Sequence, residues 1–210
     1  MSILKIPYQK EMFPAQPAII TGRLMTSGAV IKIDKINWEN FPHTPDVKVY
    51  LGYCDQRLWL HYVVANDFVR AVCRNDQEPV WQDSCVEFFV KQGDMYRNFE
   101  FNCLGVCLSA AGSDRNSRKR LDVKSMDQIL RFPSLNIENL SSESIPTNWS
   151  LTVAIPLNLI GLTPGSPFLA NFYKCGDKTK MPHYVSWSAI STQTPDFHQP
   201  GFFAPLELLG

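Results

Sequence analysis

The sequence predicts an all-β fold: an antiparallel β-sandwich of jelly-roll-like or immunoglobulin-like form, with short helical turns in its loops. Strand-like apolar runs recur along the chain, proline is frequent between them, and convincing helical periodicity is nearly absent. Many short strands pack most economically as two sheets placed core to core. The 210 residues contain no linker, repeat or low-complexity tract. We therefore expect one domain over residues 1–210.

The predicted strands are short segments spread over the whole chain. In chain order they are AVIKIDKINW, VKVYLGYCD, RLWLHYVVAN, FVRAVC, SCVEFFVK, MYRNFEFNCLGVCLSA, WSLTVAIPL, PFLANFYKC, HYVSWSAI and GFFAPLELL. Two other segments, KSMDQILRF and PLNLIGL, predict one or two helical turns each.

A hairpin is predicted where the alternating runs VWQDSCVEFFV and MYRNFEFNCLG flank the short loop KQGD. Side chains on a strand alternate between the two faces of a sheet. Pairing the phenylalanine-rich faces leaves a second, polar face on which Glu87 and Glu100 lie close together. Like charges on facing strands are unfavourable without a cation or hydrogen-bond donors nearby. This face is therefore predicted to hold a polar ligand, an arginine or a metal.

A basic segment, AAGSDRNSRKRLD, interrupts the strand pattern after Gly112 and predicts a long loop. One interpretation is a solvated charged loop. The other is that an arginine, such as Arg118, reaches the face that carries Glu87 and Glu100. Guanidinium forms bidentate pairs with carboxylates and also donates to sugar hydroxyls.

Composition argues against several classes of partner. The 20 basic and 20 acidic residues balance to a formal net charge of zero, without the basic excess typical of nucleic-acid or anionic-membrane binding. No stretch is long and apolar enough to span a bilayer, and the first residues lack the features of a signal peptide. We expect a cytoplasmic protein, although an exported protein whose leader had been removed would look the same. The six cysteines lack a CxxC pair and predict reduced packing thiols; their spacing argues against zinc.

Six segments in order resemble the family 9 carbohydrate-binding modules, in the stand-alone, DOMON-type β-sandwich form. They are VWQDSCVEFFV, YRNFEFNCLG, LTVAIPLNLIG, FLANFYKCGD, VSWSAI and PDFHQPGFFAPLEL, within residues 45 to 208. The resemblance implies a non-catalytic β-sandwich that binds a mono- or oligosaccharide, at the end of a glucan- or xylan-type chain, between two tryptophans. It also implies that calcium is possible as a structural ion.

The resemblance assigns roles to particular residues. Trp81 matches the first stacking tryptophan, and Glu87 matches a carboxylate that bonds sugar hydroxyls. Asn171 resembles an asparagine near the site. Trp187 is the second platform, a role that Tyr173 could fill instead. Sugar rings stack on aromatics while their hydroxyls need paired donors and acceptors, so the full predicted site is Trp81, Glu87, Glu100, Asn102, Arg118, Asn171, Tyr173 and Trp187.

The alternative is that the tryptophans have a structural role and bind no ligand. Trp81 would then be a core residue capping the sandwich, and Trp187, flanked by serines on a strand, would lie in the core. We interpret Trp38, Trp59 and Trp149 as structural.

Glycoside hydrolysis is a second hypothesis for function. Paired carboxylates are the usual equipment of that reaction, when they are held at defined separations around a cleft. Glu87 with Glu100, Asp83 or Asp76 could supply such a pair. Neighbouring acids on one sheet face are more often a hydrogen-bonding floor or a calcium site.

Two further alternatives rest on histidine. A Cys–His nucleophile pair, for instance Cys85 with His198 or His61, is weak evidence because unrelated pairs of this kind occur in most chains. A haem or redox-binding β-sandwich would need ligands such as His61 and Met95, which no sequence pattern pairs. Asp196 and His198 in PDFHQP are instead predicted to bond backbone groups in a turn.

Overall fold

The computed structural model describes residues 2–10, 16–140 and 145–210 and has the predicted two-sheet β-sandwich. Its strands are β1 (Leu4–Ile6), β2 (Ala29–Lys32), β3 (Lys35–Ile36), β4 (Asp46–Cys54), β5 (Arg57–Asp67), β6 (Cys85–Gln92), β7 (Met95–Asn102), β8 (Cys107–Gly112), β9 (Lys119–Arg120), β10 (Leu130–Pro133), β11 (Thr147–Pro156), β12 (Pro167–Cys175), β13 (Tyr184–Ser186) and β14 (Ala204–Leu208). The helices are α1 (Pro17–Ser27), α2 (Val123–Met126) and α3 (Leu157–Ile160), with 3₁₀ turns at Val80–Gln82, Ile137–Asn139 and Pro200–Phe202.

The larger sheet runs in the order β1-β14-β12-β6-β7-β8-β9, with β13 paired to β12 and β3 to β13. The smaller sheet runs in the order β10-β11-β5-β4-β2. Neighbouring strands pair antiparallel throughout the described residues, apart from the parallel pair of β1 and β14. The sandwich is therefore antiparallel, as predicted, with one parallel edge contact.

The main core lies between the sheets and follows the predicted alternation. Val86, Phe88 and Val90 face it from β6, while Phe99 and Phe101 face it from β7. The ring of Phe88 stacks on that of Phe172 from β12, with ring centroids 5.1 Å apart. Full burial of such a side chain contributes roughly 1.5–3 kcal/mol. The apolar face of the hairpin thereby fixes its polar face on the outside of the sandwich.

Helix α1 is an element that the sequence analysis missed. It begins with Pro17, whose fixed φ suits the first helical position. Ile20 and Leu24, four residues apart, are its buried residues and pack on Trp59, on the outer face of the smaller sheet. Only two of the 11 side chains are buried, while Ile19 and Met25 are apolar and exposed, so the periodic signal is weak.

The segment FVRAVC was predicted as a strand, but residues 68–73 are not one. The Asp83 carboxylate accepts hydrogen bonds from the backbone amides of Val72 and Cys73 at 2.9 to 3.0 Å. Ser84 Oγ accepts another from the amide of Arg70. Side-chain oxygens thus take the amides that a strand would use in a ladder.

Other sequence expectations hold locally. KSMDQILRF and PLNLIGL each contain a single-turn helix, although the end of the first forms β10. All six cysteines are buried, as predicted for packing thiols. Trp38, Trp59 and Trp149 are buried as well. None of the helices in the described ranges is long and apolar enough to cross a membrane.

Candidate functional site

A cavity of about 230 Å³ opens on the outer face of the larger sheet. Strands β6, β7, β8 and β12 form its floor, and the basic loop, the turn at Val80–Gln82 and the segments around β13 and before β14 form its walls. Its lining residues are Trp81, Glu87, Glu100, Leu108, Ala110, Arg115, Arg118, Arg120, Cys175, Asp177, Tyr184, Pro195, Asp196, Phe197 and His198.

Two carboxyl groups lie on the floor of this cavity. Glu87 and Glu100 are directly opposite each other on β6 and β7, and are only 2% and 3% exposed. Burial raises the pKa of Glu87 well above its ordinary value, and the nearby Cys175 and Glu100 raise it further. Burial also raises the pKa of Glu100, to about 7. The Oε2 atom of Glu100 has no hydrogen-bond partner among the described residues.

The basic loop reaches this floor through one intermediary. Arg118 Nη1 donates to Asn98 Oδ1 at 2.7 Å, and Asn98 Nδ2 donates to Glu100 Oε1 at 2.9 Å. Gly112 allows the close approach of the loop, because a Cβ there would lie 2.7 Å from the Arg118 Cα. The prediction that Arg118 reaches the acidic face is confirmed. In the described chain Arg118 forms no ion pair with Glu87 or Glu100. Its link to Glu100 consists of the two hydrogen bonds made by Asn98.

Two thiols border the same carboxyl group. Cys85 and Cys175 are directly opposite each other on β6 and β12. The Cys175 thiol donates to Glu87 Oε1 at 3.2 Å, and Cys85 Sγ lies 4.0 Å from the same oxygen. Burial raises the pKa of Cys85 to about 12. A protonated thiol is a poor nucleophile, and the hydrogen-bond contacts of Cys85 Sγ among the described residues include no histidine, so the structure gives no support to the Cys–His alternative.

Trp81 is positioned by a buried support beneath the turn at Val80–Gln82. Asp83 follows that turn, is fully buried, and pairs with Arg70. Asn102 Nδ2 donates to Asp83 Oδ2 at 3.1 Å, and its Oδ1 accepts from two backbone amides after β7. Asn102 was predicted to bind ligand. The structure instead places it in this support, outside the cavity lining.

Three more predicted residues lie outside the cavity. Asn171 is buried and bonds both backbone groups of Ser188 at 2.9 Å. Tyr173 is buried under Phe197, with ring centroids 4.2 Å apart, and its hydroxyl donates to the Phe197 carbonyl. Trp187 packs edge-on to Phe172 against the core between the sheets. Trp187 and Trp81 therefore do not face each other across the cavity.

The structure thus brings together half of the predicted site residues: Trp81, Glu87, Glu100 and Arg118. It adds an aromatic and an acid that the sequence analysis missed, Tyr184 and Asp177; burial, followed by the charge of Asp177, raises the pKa of Tyr184. Burial raises the pKa of Asp177 to about 6. The feature that could have pointed to Tyr184 is the predicted strand on which it lies. That strand, β13, pairs with β12, and Tyr184 is opposite Cys175 on the cavity floor.

The segment PDFHQP also contributes to the wall. Asp196 Oδ1 accepts from the His198 amide at 3.0 Å, as predicted for a turn. The His198 ring was predicted to bond a backbone group. Among the described residues its Nδ1 atom instead bonds the Tyr96 hydroxyl, at 3.1 Å. Burial lowers the pKa of His198 to about 3, so its ring is neutral.

A second buried polar cluster lies on the other face of β12. Lys174 Nζ is 3.1 Å from Asp67 Oδ2 and 2.8 Å from His183 Nε2, and it donates to the Cys175 carbonyl at 2.9 Å. Trp149 Nε1 donates to Asp67 Oδ2 at 2.8 Å. Burial, followed by the charge of Lys174, lowers the pKa of His183 to about 3. Neutral His183 therefore accepts from the lysine, and the pair of Lys174 with Asp67 connects the two sheets.

Two groups of described residues bring three metal-ligating side chains together: His43 with Asp67 and His183, and Cys85 with Glu87 and Cys175. Calcium prefers six to eight oxygen ligands. The first group is rich in nitrogen and already holds the Lys174 ammonium, and the second is rich in sulfur. Neither fits calcium, whose binding stays a prediction.

The residues of the haem hypothesis are far apart in the topology. His61 lies on β5 in the smaller sheet, where its Nδ1 bonds Thr152. Met95 begins β7 in the larger sheet and is 51% exposed. The fold does not bring these two side chains together as a ligand pair.

The fold and the cavity define a β-sandwich protein with a polar, partly aromatic site on the outer face of one sheet. Residues 19–208 match the model of carbohydrate-binding family 9, and the chain belongs to this family. This confirms the resemblance seen in the sequence. No curated protein sequence matches the chain.

Solved structures agree with this assignment. A crystal structure of a proposed carbohydrate-binding protein from Bacteroides uniformis is 32% identical, with a TM-score of 0.87, over 99% of this chain and 98% of that chain. A family 9 module from Caldicellulosiruptor kristjanssonii, solved with cellotriose, is 12% identical, with a TM-score of 0.59, over 100% of this chain and 94% of that one. The same module with glucose gives the same identity and TM-score, over 96% of that chain. At 12% identity these two structures support the fold alone.

Proposed function

We propose that the cavity binds the end of a glucan- or xylan-type saccharide without cleaving it. Trp81 supplies an apolar face for a pyranose ring. Glu100, Glu87 and Arg118 supply acceptors and donors for its hydroxyl groups. Membership of carbohydrate-binding family 9 supports the saccharide as ligand class, and the finer choice of a glucan- or xylan-type chain end follows the resemblance seen in the sequence.

The observation that carries this proposal is the unpartnered Oε2 atom of Glu100. A buried polar group without a hydrogen bond costs about 1–3 kcal/mol. Glu100 lines the cavity, so a ligand hydroxyl can supply the missing partner. The carboxyl can meet a hydroxyl in either protonation state, since it donates when neutral and accepts when ionised.

Another part of the cavity lining offers the second aromatic surface that the sequence analysis assigned to Trp187. Tyr184 lines the cavity beside Phe197, with ring centroids 6.2 Å apart. An aromatic ring with a polar hydroxyl end suits a sugar, which has both apolar and hydroxylated faces. We infer that Tyr184 replaces Trp187 as the partner of Trp81.

Glycoside hydrolysis is favoured by one observation, the direct pairing of Glu87 with Glu100 on the floor. A glycosidase needs one carboxyl that is protonated and one that stays ionised. Burial raises the pKa of both groups here, and no ion pair among the described residues favours the ionised form of either. The electrostatics therefore favour binding over catalysis.

A titration of a saccharide panel tests the proposal. Glucose, xylose and their β-linked oligomers are titrated calorimetrically, and each mixture is then assayed for hydrolysis. We expect binding with no turnover, and similar affinity for short and long oligomers because only the chain end enters. Absence of binding across the panel would contradict saccharide recognition. Turnover that disappears in Glu87→Gln would establish the hydrolase.

A further inference from the structure

We propose that Cys85, Cys175 and Glu87 form a binding site for one thiophilic divalent metal ion, of which Zn²⁺ is the physiological example. The site lies at the floor of the cavity and is open on one side. It is separate from the calcium that the family resemblance implies. It does not depend on saccharide binding, because the metal ligands are protein side chains alone.

Strand register assembles the three ligands. Cys85 and Cys175 are directly opposite each other on the antiparallel strands β6 and β12. Glu87 is two residues after Cys85 and therefore lies on the same face of the sheet. The two cysteines are 90 residues apart in the chain. The sequence argument against zinc considered only ligands a few residues apart, so it could not detect this pair.

The distances suit a tetrahedral ion. Zn–S bonds of ≈ 2.3 Å and Zn–O bonds of ≈ 2.0–2.2 Å place neighbouring ligand atoms about 3.5–3.8 Å apart at tetrahedral angles. The Glu87 Oε1 atom is 3.2 Å from Cys175 Sγ and 4.0 Å from Cys85 Sγ. All three ligand atoms lie within 4.8 Å of one another. Shifts of about 0.4 Å would bring both Glu87–sulfur distances into this range, and a shift of at most about 1 Å would do so for the two sulfur atoms.

The fourth position faces the cavity. Glu87 and Cys175 both line it, so an ion can enter from solvent and keep a water molecule or another small ligand. Three protein ligands with one open position contrast with the closed arrangement of structural zinc sites. The buried cluster of Asp67 and His183 differs in this respect, because the Lys174 ammonium already occupies it.

Charge can be balanced within the site. Binding displaces the protons of both thiols and of the Glu87 carboxyl to solvent, and no oxidant or reductant is needed. The dication with two thiolates and one carboxylate carries a net charge of −1. Arg115 and Arg118 line the same cavity and offset that charge.

Titration of the reduced, metal-free protein with Cd²⁺ and Co²⁺ tests the proposal. We expect one ion per chain, an ultraviolet cadmium–thiolate charge-transfer band, and visible Co²⁺ bands typical of tetrahedral coordination. Zn²⁺ should then displace Co²⁺ and abolish those visible bands. A titration without the charge-transfer band would overturn the proposal, even if the protein binds saccharides normally.

Variants locate the site. Cys85→Ser and Cys175→Ser should each weaken Cd²⁺ binding by more than about 100-fold, since loss of an outer-shell partner alone costs 10–100-fold. Glu87→Gln should weaken it while leaving the thiolate band. Cys107→Ser, which removes another buried thiol on β8, is the matched control and should bind as wild type. Retention of the band in the double variant of Cys85 and Cys175 would contradict the assignment, as would a disulfide between them in the freshly purified protein.

Discussion

Two buried polar clusters on opposite faces of β12 differ in whether their charges are paired. Lys174 lies on the core side, where Asp67, His183 and a backbone carbonyl surround its ammonium group. Cys175 lies on the outer side beside Glu87 and Glu100, two acids with no cation within ion-pairing distance in the described chain. The first cluster pairs its acid with a cation, although Asp67 Oδ1 also lacks a hydrogen-bond partner. The second retains an unpartnered carboxyl oxygen next to a cavity.

The contrast separates a structural use of buried charge from a functional one. A buried ion pair holds elements in register, and loss of one partner leaves an uncompensated charge. A buried acid without a partner destabilises the free protein. A ligand that supplies the missing hydrogen bonds recovers that cost. Substitutions at Lys174, Glu100, Trp81 and Arg118 test this distinction.

Lys174→Met should lower the free energy of unfolding by about 3–5 kcal/mol, because Asp67 would remain buried without its counter-ion. Urea denaturation at pH 7 measures the change. The double variant of Lys174→Met with Asp67→Asn should recover part of the loss, since it removes both charges. A single variant as stable as wild type would show that the two clusters do not differ as described.

Glu100→Gln should raise the stability of the protein at pH 8 by about 3 kcal/mol, at roughly 1.4 kcal/mol per pKa unit. The pKa of Glu100 is raised to about 7 in the folded state, above its ordinary value of 4.5. The stability that the protonated Glu100 carboxyl contributes is therefore fully present below pH 4.5 and is lost as the pH rises toward 7.

The comparison with the variant isolates this contribution. Gln mimics the protonated carboxyl, so the stability of Glu100→Gln should lack this fall between pH 4.5 and 7. Glu39→Gln, at an exposed position, is the matched control and should follow wild type. Parallel curves for wild type and Glu100→Gln would show that Glu100 is not strained by burial.

Trp81→Ala should weaken saccharide binding by about 2 kcal/mol, roughly thirtyfold, because the apolar platform is lost. Titration calorimetry measures the affinity. Trp187→Ala is the matched control: its ring packs against the core, so the variant should lose stability and keep the affinity. The reverse pattern would restore Trp187 as the stacking platform.

Arg118→Met should weaken saccharide binding by about 1 kcal/mol, close to the net value of one hydrogen bond. The change removes the donor to Asn98, which in turn orients Glu100. It should also raise the pKa of Glu100, because the charge of Arg118 opposes the effect of burial there. Arg23→Met, a half-buried position on α1, which packs on the outer face of the smaller sheet, is the control and should bind as wild type.

The floor of the site was predictable from sequence, whereas its walls were not. Period-two alternation placed Glu87 and Glu100 on one face, and an apolar core on the other face made that assignment definite. The same rule, applied to the strand before Trp187, would have placed the Trp187 side chain toward the core. Tyr184 and Ser186 share the outer face, so alternation puts Val185 and Trp187 toward the core.

The walls come from loops whose conformation depends on distant partners. His198 is fixed by the Tyr96 hydroxyl, 102 residues away in the chain. Asp177 is fixed through its backbone by the Trp81 carbonyl. No local pattern encodes such contacts. The resemblance to a known family located Trp81, which lies on a 3₁₀ turn where alternation gives no information.

Saccharide binding in the cavity is tested most directly by a crystal structure of the protein with a bound oligosaccharide from the titration panel. We expect a terminal sugar ring over Trp81, with a hydroxyl group within hydrogen-bond distance of Glu100 Oε2 and another near Arg118. A saccharide bound elsewhere, with the Glu100 oxygen still unpartnered, would contradict it.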